Sequence, residues 1–297
     1  MPLVTLPDKA ELLIGASRMG AMLHGGRVVW QPSRETLTVS GGTITQFVRG
    51  GINYAQVVWR QGGGFTLSGD VDAQWALGAG AGTGARSTQA AWTPGGGGAG
   101  GLLYGTSLLA GEYAIEIGAG GPANDSVLGG YNGSDSTLSF AGGDITAIGG
   151  GRGATSGTGN DIPGAGGSGG GGRGSNNTTF PGGSGTPGQG HDGGEGTNAA
   201  GTDRVSAGGG GADGPGGDAQ PGIPGLGGPG RLLDWMEPPT TVCRGGDGIS
   251  SQTSEGTPDQ DWGCGSTGAI NATAGKAGDG FFVLVVRSDE VIVDMAE

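Results

Sequence analysis

Residues 208–230 read GGGGADGPGGDAQPGIPGLGGPG, and whatever this run folds into decides the architecture of the chain. Collagen needs glycine at every third position, because only glycine fits at the crowded axis of a triple helix. Here the frame holds at Gly208, Gly211, Gly214 and Gly217, is lost at Gln220, and resumes out of phase at Gly222, Gly225 and Gly228. Proline, at 15 of 297 residues, is also too ordinary for collagen. Disorder is the second option, yet flexible linkers lack interspersed apolar anchors. The third is a set of left-handed polyproline-II helices packed side by side. Each turn takes three residues, rises about 3.1 Å per residue and makes no internal hydrogen bonds. Its N–H and C=O groups point outward, and neighbours can satisfy them only where bare glycines let the backbones approach.

Similar tracts recur at 95–101, 149–153, 164–174 and 182–190, in a chain holding 77 glycines. Aromatic residues are only 5% of the sequence, so apolar burial alone cannot hold these tracts together. They are punctuated by apolar anchors at Leu102, Leu103 and Tyr104 and at 113–117, 138–140, 145–148 and 232–236. Anchors at such intervals favour packed polyproline-II rods over a flexible tract, with the interruptions as connecting loops.

Outside this territory the pattern is that of sheet. Apolar runs at 11–14, 19–24 and 27–30, the last two joined by Gly25 and Gly26, predict a small N-terminal sheet with a tight hairpin. Runs at 36–39, 43–48, 54–60 and 65–67 are rich in β-branched and aromatic residues and predict further strands. Residues 281–286 are continuously apolar, as in a strand buried on both faces, and 291–295 adds one more. The expected fold is mainly β plus irregular, with little or no α-helix. It comprises an N-terminal β segment (1–34), a strand region (35–77), a glycine-rich polyproline-II bundle with loop insertions (78–280) and closing strands (281–297).

A net charge of −13, from 27 acidic and 14 basic residues, argues against binding nucleic-acid phosphates. The first residues lack a signal-sequence pattern, and no apolar stretch approaches the roughly 20 residues that cross a bilayer. Any exit from the cell is therefore expected to be unconventional, such as lysis. Cys243 and Cys264 enclose twenty residues. A disulfide between them would stabilise by about 3 kcal/mol, and two free thiols are the other reading that spacing leaves open.

Catalytic signatures are weak. Glycine saturation produces G-x-G-x-x-G by chance, without the strand and helix that dinucleotide binding requires. Ala277 stands where a P-loop after Gly275 and Lys276 needs a hydroxyl. Gly166, Ser168 and Gly170 match a nucleophile elbow only formally, and His24 and His191 are the only histidines. His191, Asp192 and Glu195 fit a solvated loop better than a metal site. No enzymatic activity, cofactor or metal is expected. Sequons at Asn124, Asn132, Asn176, Asn177 and Asn271 read as turn formers.

The interruptions are chemically varied, which suits a rigid scaffold displaying binding loops. Exposed aromatic rings beside carboxylates and amides form a surface for sugars: the ring stacks on a pyranose face and the polar neighbours take its hydroxyls. Trp235 with Met236 and Glu237, Trp262 with Asp261, and Tyr131 with Asn132 fit this pairing, and Asn176, Asn177, Phe180, His191 and Asp192 lie in the other candidate loops. Each ring could instead plug the end of a bundle.

Strand, glycine tract, an apolar hairpin over 102–118 ending in Gly118-Ala119-Gly120-Gly121, and a closing Gly278-Asp279-Gly280-Phe281-Phe282-Val283-Leu284-Val285-Val286-Arg287 occur in that order. This order, over about 65–287, resembles the glycine-rich domain of tailed-phage tail proteins and adhesins. The stretch 13–18 followed by 23–30 is similar to a short β motif of phage structural proteins near their attachment end. The resemblance implies a polyglycine-II-type tail-tip or tail-fibre adhesin, released in the virion by lysis. Its N-terminus, with Arg18, His24, Arg27 and Trp30, would dock to other tail proteins (fibre, hub or tip), and its far loops would bind a host-surface glycan or outer-membrane protein. A homotrimer is one assembly open to it. A purely structural virion part, such as a tail cap or capsid decoration, and an ice-binding protein are the competing functions. The insertion at 231–263 has no counterpart in the resemblance.

Overall fold

A computed structural model describes the backbone of residues 13–14, 17–18, 22–24 and 27–30, and all of 34–88, 92–124, 129–155, 162–175, 178–199, 204–250, 262–270 and 272–296. The described residues are mainly β with no helix. In chain order the strands are β1 (Leu13–Ile14), β2 (Ser17–Arg18), β3 (Met22–His24), β4 (Arg27–Trp30), β5 (Glu35–Ser40), β6 (Thr43–Arg49), β7 (Ile52–Trp59), β8 (Gly63–Leu67), β9 (Val71–Gly78) and β10 (Arg86–Ser87). They continue with β11 (Leu102–Leu108), β12 (Gly111–Glu116), β13 (Ser136–Phe140), β14 (Gly143–Ala147), β15 (Arg231–Leu233), β16 (Thr240–Val242), β17 (Ala269–Ile270), β18 (Phe281–Arg287) and β19 (Val291–Met295).

The N-terminal segment forms two hairpins. In the first, β1 pairs β2, with Leu13 opposite Arg18; in the second, β3 pairs β4, with Met22 opposite Trp30 and His24 opposite Arg27. Ser17–Arg18, outside the apolar runs, is itself a strand.

Two larger sheets face each other. One has the order β11-β9-β18-β7-β6, and the other β14-β13-β12-β8-β5-β19, in which only the β19–β5 pair is parallel. Alternation places Ala55, Val57 and Trp59 of β7, Phe282, Leu284 and Val286 of β18, and Ala73, Trp75 and Leu77 of β9 on one face. They pack against Leu37, Val39, Phe65, Leu67, Tyr113, Ile115 and Leu138 of the second sheet. Phe282 is fully buried, with its ring 5.5 Å from Trp59, 5.9 Å from Phe65 and 6.3 Å from Trp75. The indole N–H groups of Trp59 and Trp75 donate to the carbonyls of Ser40 and Ser107.

On its other face β18 buries Phe281 and Val283 in a second core with Leu102, Leu233, Met236, Val242 and Cys243. An unbroken apolar run is the price of being covered on both sides. β9 lies almost wholly in the 35–77 strand region but matches none of the runs named there, because its alternating Val-Asp-Ala-Gln start leads into a Trp-Ala-Leu-Gly end that is buried throughout. β11 to β14 lie inside the 78–280 stretch yet complete the two sheets, so sandwich and glycine tracts interleave along the chain.

The glycine tracts hydrogen-bond to one another with a period of three. Within 95–101, the N–H groups of Gly95, Gly98 and Gly101 donate to Ala154, Gly151 and Ile148. Those of Gly96 and Ala99 donate to Ala207 and Gly210, and those of Gly97 and Gly100 to Ser266 and Gly263. The carbonyls accept from three further segments: from Ala79, Gly82 and Ala85, from Ser168 and Gly171, and from Gly246. Residues 95–101 thus sit within six neighbouring segments, donating to three and accepting from three. Ascending partners such as Ala207 and Gly210 run parallel to it, whereas Ala154, Gly151 and Ile148 run antiparallel. Bare Cα atoms make this approach feasible. A Cβ at Gly97 would fall on the carbonyl oxygen of Gly82, and one at Gly98 on that of Ser168. Ala79, Ala81, Ala85 and Ala99 are fully buried where the neighbours leave room for a methyl.

Candidate functional site

At several places in the bundle a side-chain oxygen takes a backbone N–H. Asn132 Oδ1 accepts from Arg152, Asp135 Oδ1 from Gly149, and Asp192 Oδ1 from Gly185, at 2.7–2.8 Å. Asp218, Asp247 and Asp279 accept likewise from Glu195, Gly227 and Gly120. A carboxylate is well suited to this, since charge-assisted bonds to N–H are among the stronger ones. Asn132 and Asp192, expected among the binding residues, therefore hold the scaffold.

Other expected residues divide. Tyr131 is 41% exposed, while its amide is fixed by Thr83 Oγ1. His191 is exposed, and its carbonyl accepts from Gly169. Phe180 is half-buried with the Arg173 guanidinium 3.7 Å above its ring. Trp262 meets Phe281 edge-on at 5.1 Å, and the Arg60 guanidinium lies 4.6 Å from its ring centre. These two rings are occupied within the protein. Asn176, Asn177 and Asp261 lie outside the described residues. Cys243 and Cys264 are buried and not joined to each other, and Cys264 Sγ accepts the Arg244 N–H at 3.4 Å.

Trp235, Met236 and Glu237 come together at a cleft. Strand register builds its floor on the outer face of the five-stranded sheet. Phe47 of β6 stands opposite Tyr54 of β7, which stands opposite Arg287 of β18. Two residues along, Gln56 stands opposite Val285, and Val285 opposite Gln74 of β9. These positions share a face because side chains alternate. The connection between β15 and β16 crosses the same face, with Met236 buried in the second core and Trp235 walling the opening. The cleft has a volume of about 350 Å³, within the usual range for small-ligand sites.

The wall is pinned at several points. Gln56 donates through Nε2 to the Glu237 carbonyl and accepts the Glu237 N–H through Oε1, both at 3.0 Å. Arg49 donates to the carbonyls of Asp234 and Met236, at 2.8 and 2.7 Å, and pairs with the Glu237 carboxylate at 3.3 Å. The Phe47 and Tyr54 rings, both half-buried, stack at 5.3 Å with 15° between their planes, and the Arg49 guanidinium lies 5.3 Å from the Phe47 ring centre. Asp72, Gln74 and Thr106, all exposed lining residues, supply polar groups beside it.

Charge in the cleft is balanced. Arg49 is paired with Glu237, and Arg287 with Asp289 and Glu290. The hydrogen bond to the Asp289 carboxylate is the main cause holding the Arg287 guanidinium above its ordinary range. With Asp72 added, the surroundings are not cationic, so aromatic rings with amide, carboxylate and hydroxyl neighbours suit a neutral polar ligand better than an anion. Phe47, Arg49, Tyr54, Asp72, Gln74 and Arg287 were not singled out from sequence. Their strands at 43–48, 54–60 and 281–286 were legible, but the register joining them was not. No protein-family model matches the sequence, and no curated protein matches it.

Proposed function

We propose that the chain is a non-enzymatic binding protein of a phage virion, a tail-tip or tail-fibre adhesin that takes a neutral host-surface glycan. In this reading the tracts at 79–85, 95–101, 148–155 and their neighbours are polyproline-II rods in a hexagonal bundle. The N-terminal hairpins with Arg18, His24, Arg27 and Trp30 attach to other tail proteins. The observation that carries the proposal is the cleft lined together by the half-buried Phe47, Tyr54 and Trp235 and by exposed polar side chains. The glycine-rich sequence order of phage adhesins and the six-sided bonding of 95–101 support it as a stiff mount for such a site. Stiffness matters because a preorganised site loses less entropy on binding.

A structural part without a receptor, such as a tail cap or capsid decoration, has one observation in its favour. Asn132, Asp192, Phe180 and Trp262 are engaged in internal contacts. The purified protein, screened on a glycan array and in competition with phage adsorption to host cells, separates the two. Binding that Tyr54→Ala and Trp235→Ala each weaken supports the adhesin. Absence of glycan binding, with unimpaired adsorption in the presence of excess protein, favours the structural part.

A further inference from the structure

Cys243 directly follows β16, at the root of the cleft wall, and Cys264 lies in the segment that β16 leads back to across the second core. The two stretches contact each other reciprocally. The Cys243 N–H donates to the Trp262 carbonyl at 2.9 Å, and the Arg244 N–H points at Cys264 Sγ, 3.4 Å away. In return, a Cβ on Gly263 would lie 3.1 Å from Cys243 Sγ. The Arg244 nitrogen is bonded to the carbonyl carbon of Cys243, so Cys264 Sγ is within about 6 Å of Cys243 Cα. Bridging requires Cα atoms about 4.4–6.8 Å apart, and the direct contact of the 243–244 backbone with the 262–264 segment brings the two cysteines into that neighbourhood. Cys243 and Trp262 also hold φ of 54° and 75°, left-handed values that non-glycine residues keep only where the surroundings over-determine them.

We propose that Cys243 and Cys264 form an intramolecular disulfide site that locks the cleft wall to the 262–264 segment once the protein meets an oxidising medium. This holds whether or not the cleft takes a sugar. The oxidant is a low-molecular-weight disulfide such as oxidised glutathione. One cysteine thiolate attacks it and expels a glutathione thiolate, and the second cysteine then displaces the remaining glutathione from the mixed disulfide. Two S–H bonds and one glutathione S–S bond are broken; one protein S–S bond and two glutathione S–H bonds form. Burial, with a smaller contribution from Cys264, pushes the Cys243 thiol well above its ordinary range. The thiolate is therefore scarce in the folded protein, and bridging proceeds fastest while the chain folds.

The experiment refolds the full chain with either oxidised glutathione or a reductant, denatures it, alkylates with iodoacetamide and digests with trypsin without reduction. Cleavage after Arg231, Arg244 and Lys276 places Cys243 on peptide 232–244 and Cys264 on 245–276. The expected result is a linked pair of these peptides, two hydrogens lighter than their sum. Closing a loop of this size should also raise the melting temperature by about 5–10 °C over the reduced protein. Two separately alkylated peptides after oxidative refolding, or chains joined as dimers on a non-reducing gel, would overturn the site. A linked pair with no change in melting temperature would overturn the locking. Cys264→Ser should abolish both effects; if it does not fold, the peptide map of the unaltered chain still decides.

Discussion

Replacing Gly97 by alanine tests the packing of the glycine tracts at a segment with six hydrogen-bonded neighbours. The added Cβ would land on the carbonyl oxygen of Gly82, far inside van der Waals contact. Residues 79–85 and 95–101 would have to part by roughly 1 Å to accept it. Three hydrogen bonds join them: Ala79 to Gly101 at 3.0 Å, Gly82 to Gly98 at 2.9 Å and Ala85 to Gly95 at 3.1 Å. Each contributes about 1 kcal/mol net, and more when its groups are left buried without partners. The loss comes to about 3–6 kcal/mol, offset by about 0.4–1 kcal/mol because alanine restricts the unfolded chain. Against a typical total of about 5–15 kcal/mol, a net change of that size lowers the melting temperature by on the order of 10 °C. Two controls isolate the cause. Gly62→Ala meets nothing nearer than the Ile115 carbonyl oxygen at 3.3 Å. Ala99→Gly, at a buried position that already takes a methyl, should cost at most about 1 kcal/mol. Scanning calorimetry reads all three, and a Gly97→Ala melt within about 2 °C of Gly62→Ala would refute close backbone packing there.

Three further outcomes are expected. Phe282→Ala, which empties a buried site among Trp59, Phe65 and Trp75, should destabilise by about 3–5 kcal/mol in denaturant titrations. Tyr54→Ala and Trp235→Ala should each weaken binding of an array-identified sugar by roughly tenfold, about 1.4 kcal/mol, in calorimetric titrations, with little change in melting because both rings are only partly buried. Burial alone would raise the Asp279 carboxyl, but hydrogen bonds from Lys276 and the Gly120 amide, with the charges of Lys276 and Arg60, hold it below its ordinary 3.8. Its folded pKa is thus the lower one, so its stabilisation is present above the unfolded value and lost as pH falls through the folded value. Asp279→Asn should make the acid side of a melting-temperature profile shallower, and an unchanged slope below about pH 4 would count against that assignment.

The strands that were legible are those whose pattern is local. Residues 281–287 announce burial on both faces through an unbroken apolar run, and 35–67 through β-branched and aromatic residues between glycines. β11 and β12 were legible as an apolar hairpin over 102–118, but β11 pairs β9 and β12 pairs β8 and β13, so the two belong to different sheets; β13 and β14 were visible only as anchors at 138–140 and 145–148, because glycine on either side hides their return to the sheet. The cleft was half legible. Trp235 and Glu237 stand out as an aromatic beside a carboxylate, whereas Phe47 and Tyr54, on consecutive strands, meet the distant Arg287 only through register. Register depends on which strands pair, and no local pattern in β6 or β18 specifies that β7 lies between them.

The acidic balance of the chain also acquires a place in the structure. Asp135, Asp192, Asp218, Asp247 and Asp279 each accept a backbone N–H from a neighbouring segment of the bundle. The N–H groups of an irregular glycine tract need partners, and where a neighbouring carbonyl does not serve, a short ionised side chain can. Much of what looks in sequence like polar loop chemistry is therefore part of the scaffold, including Asn132 and Asp192. Recognition has to be sought where rings and polar groups face solvent together. The sheet face under Trp235 comes nearest to that condition: its arginines are neutralised by Glu237, Asp289 and Glu290, and the half-buried Phe47, Tyr54 and Trp235 rings line a cleft with exposed Asp72, Gln74 and Thr106. If glycine supplies the mount, the site sits where a glycine-poor sheet and the 231–242 insertion meet.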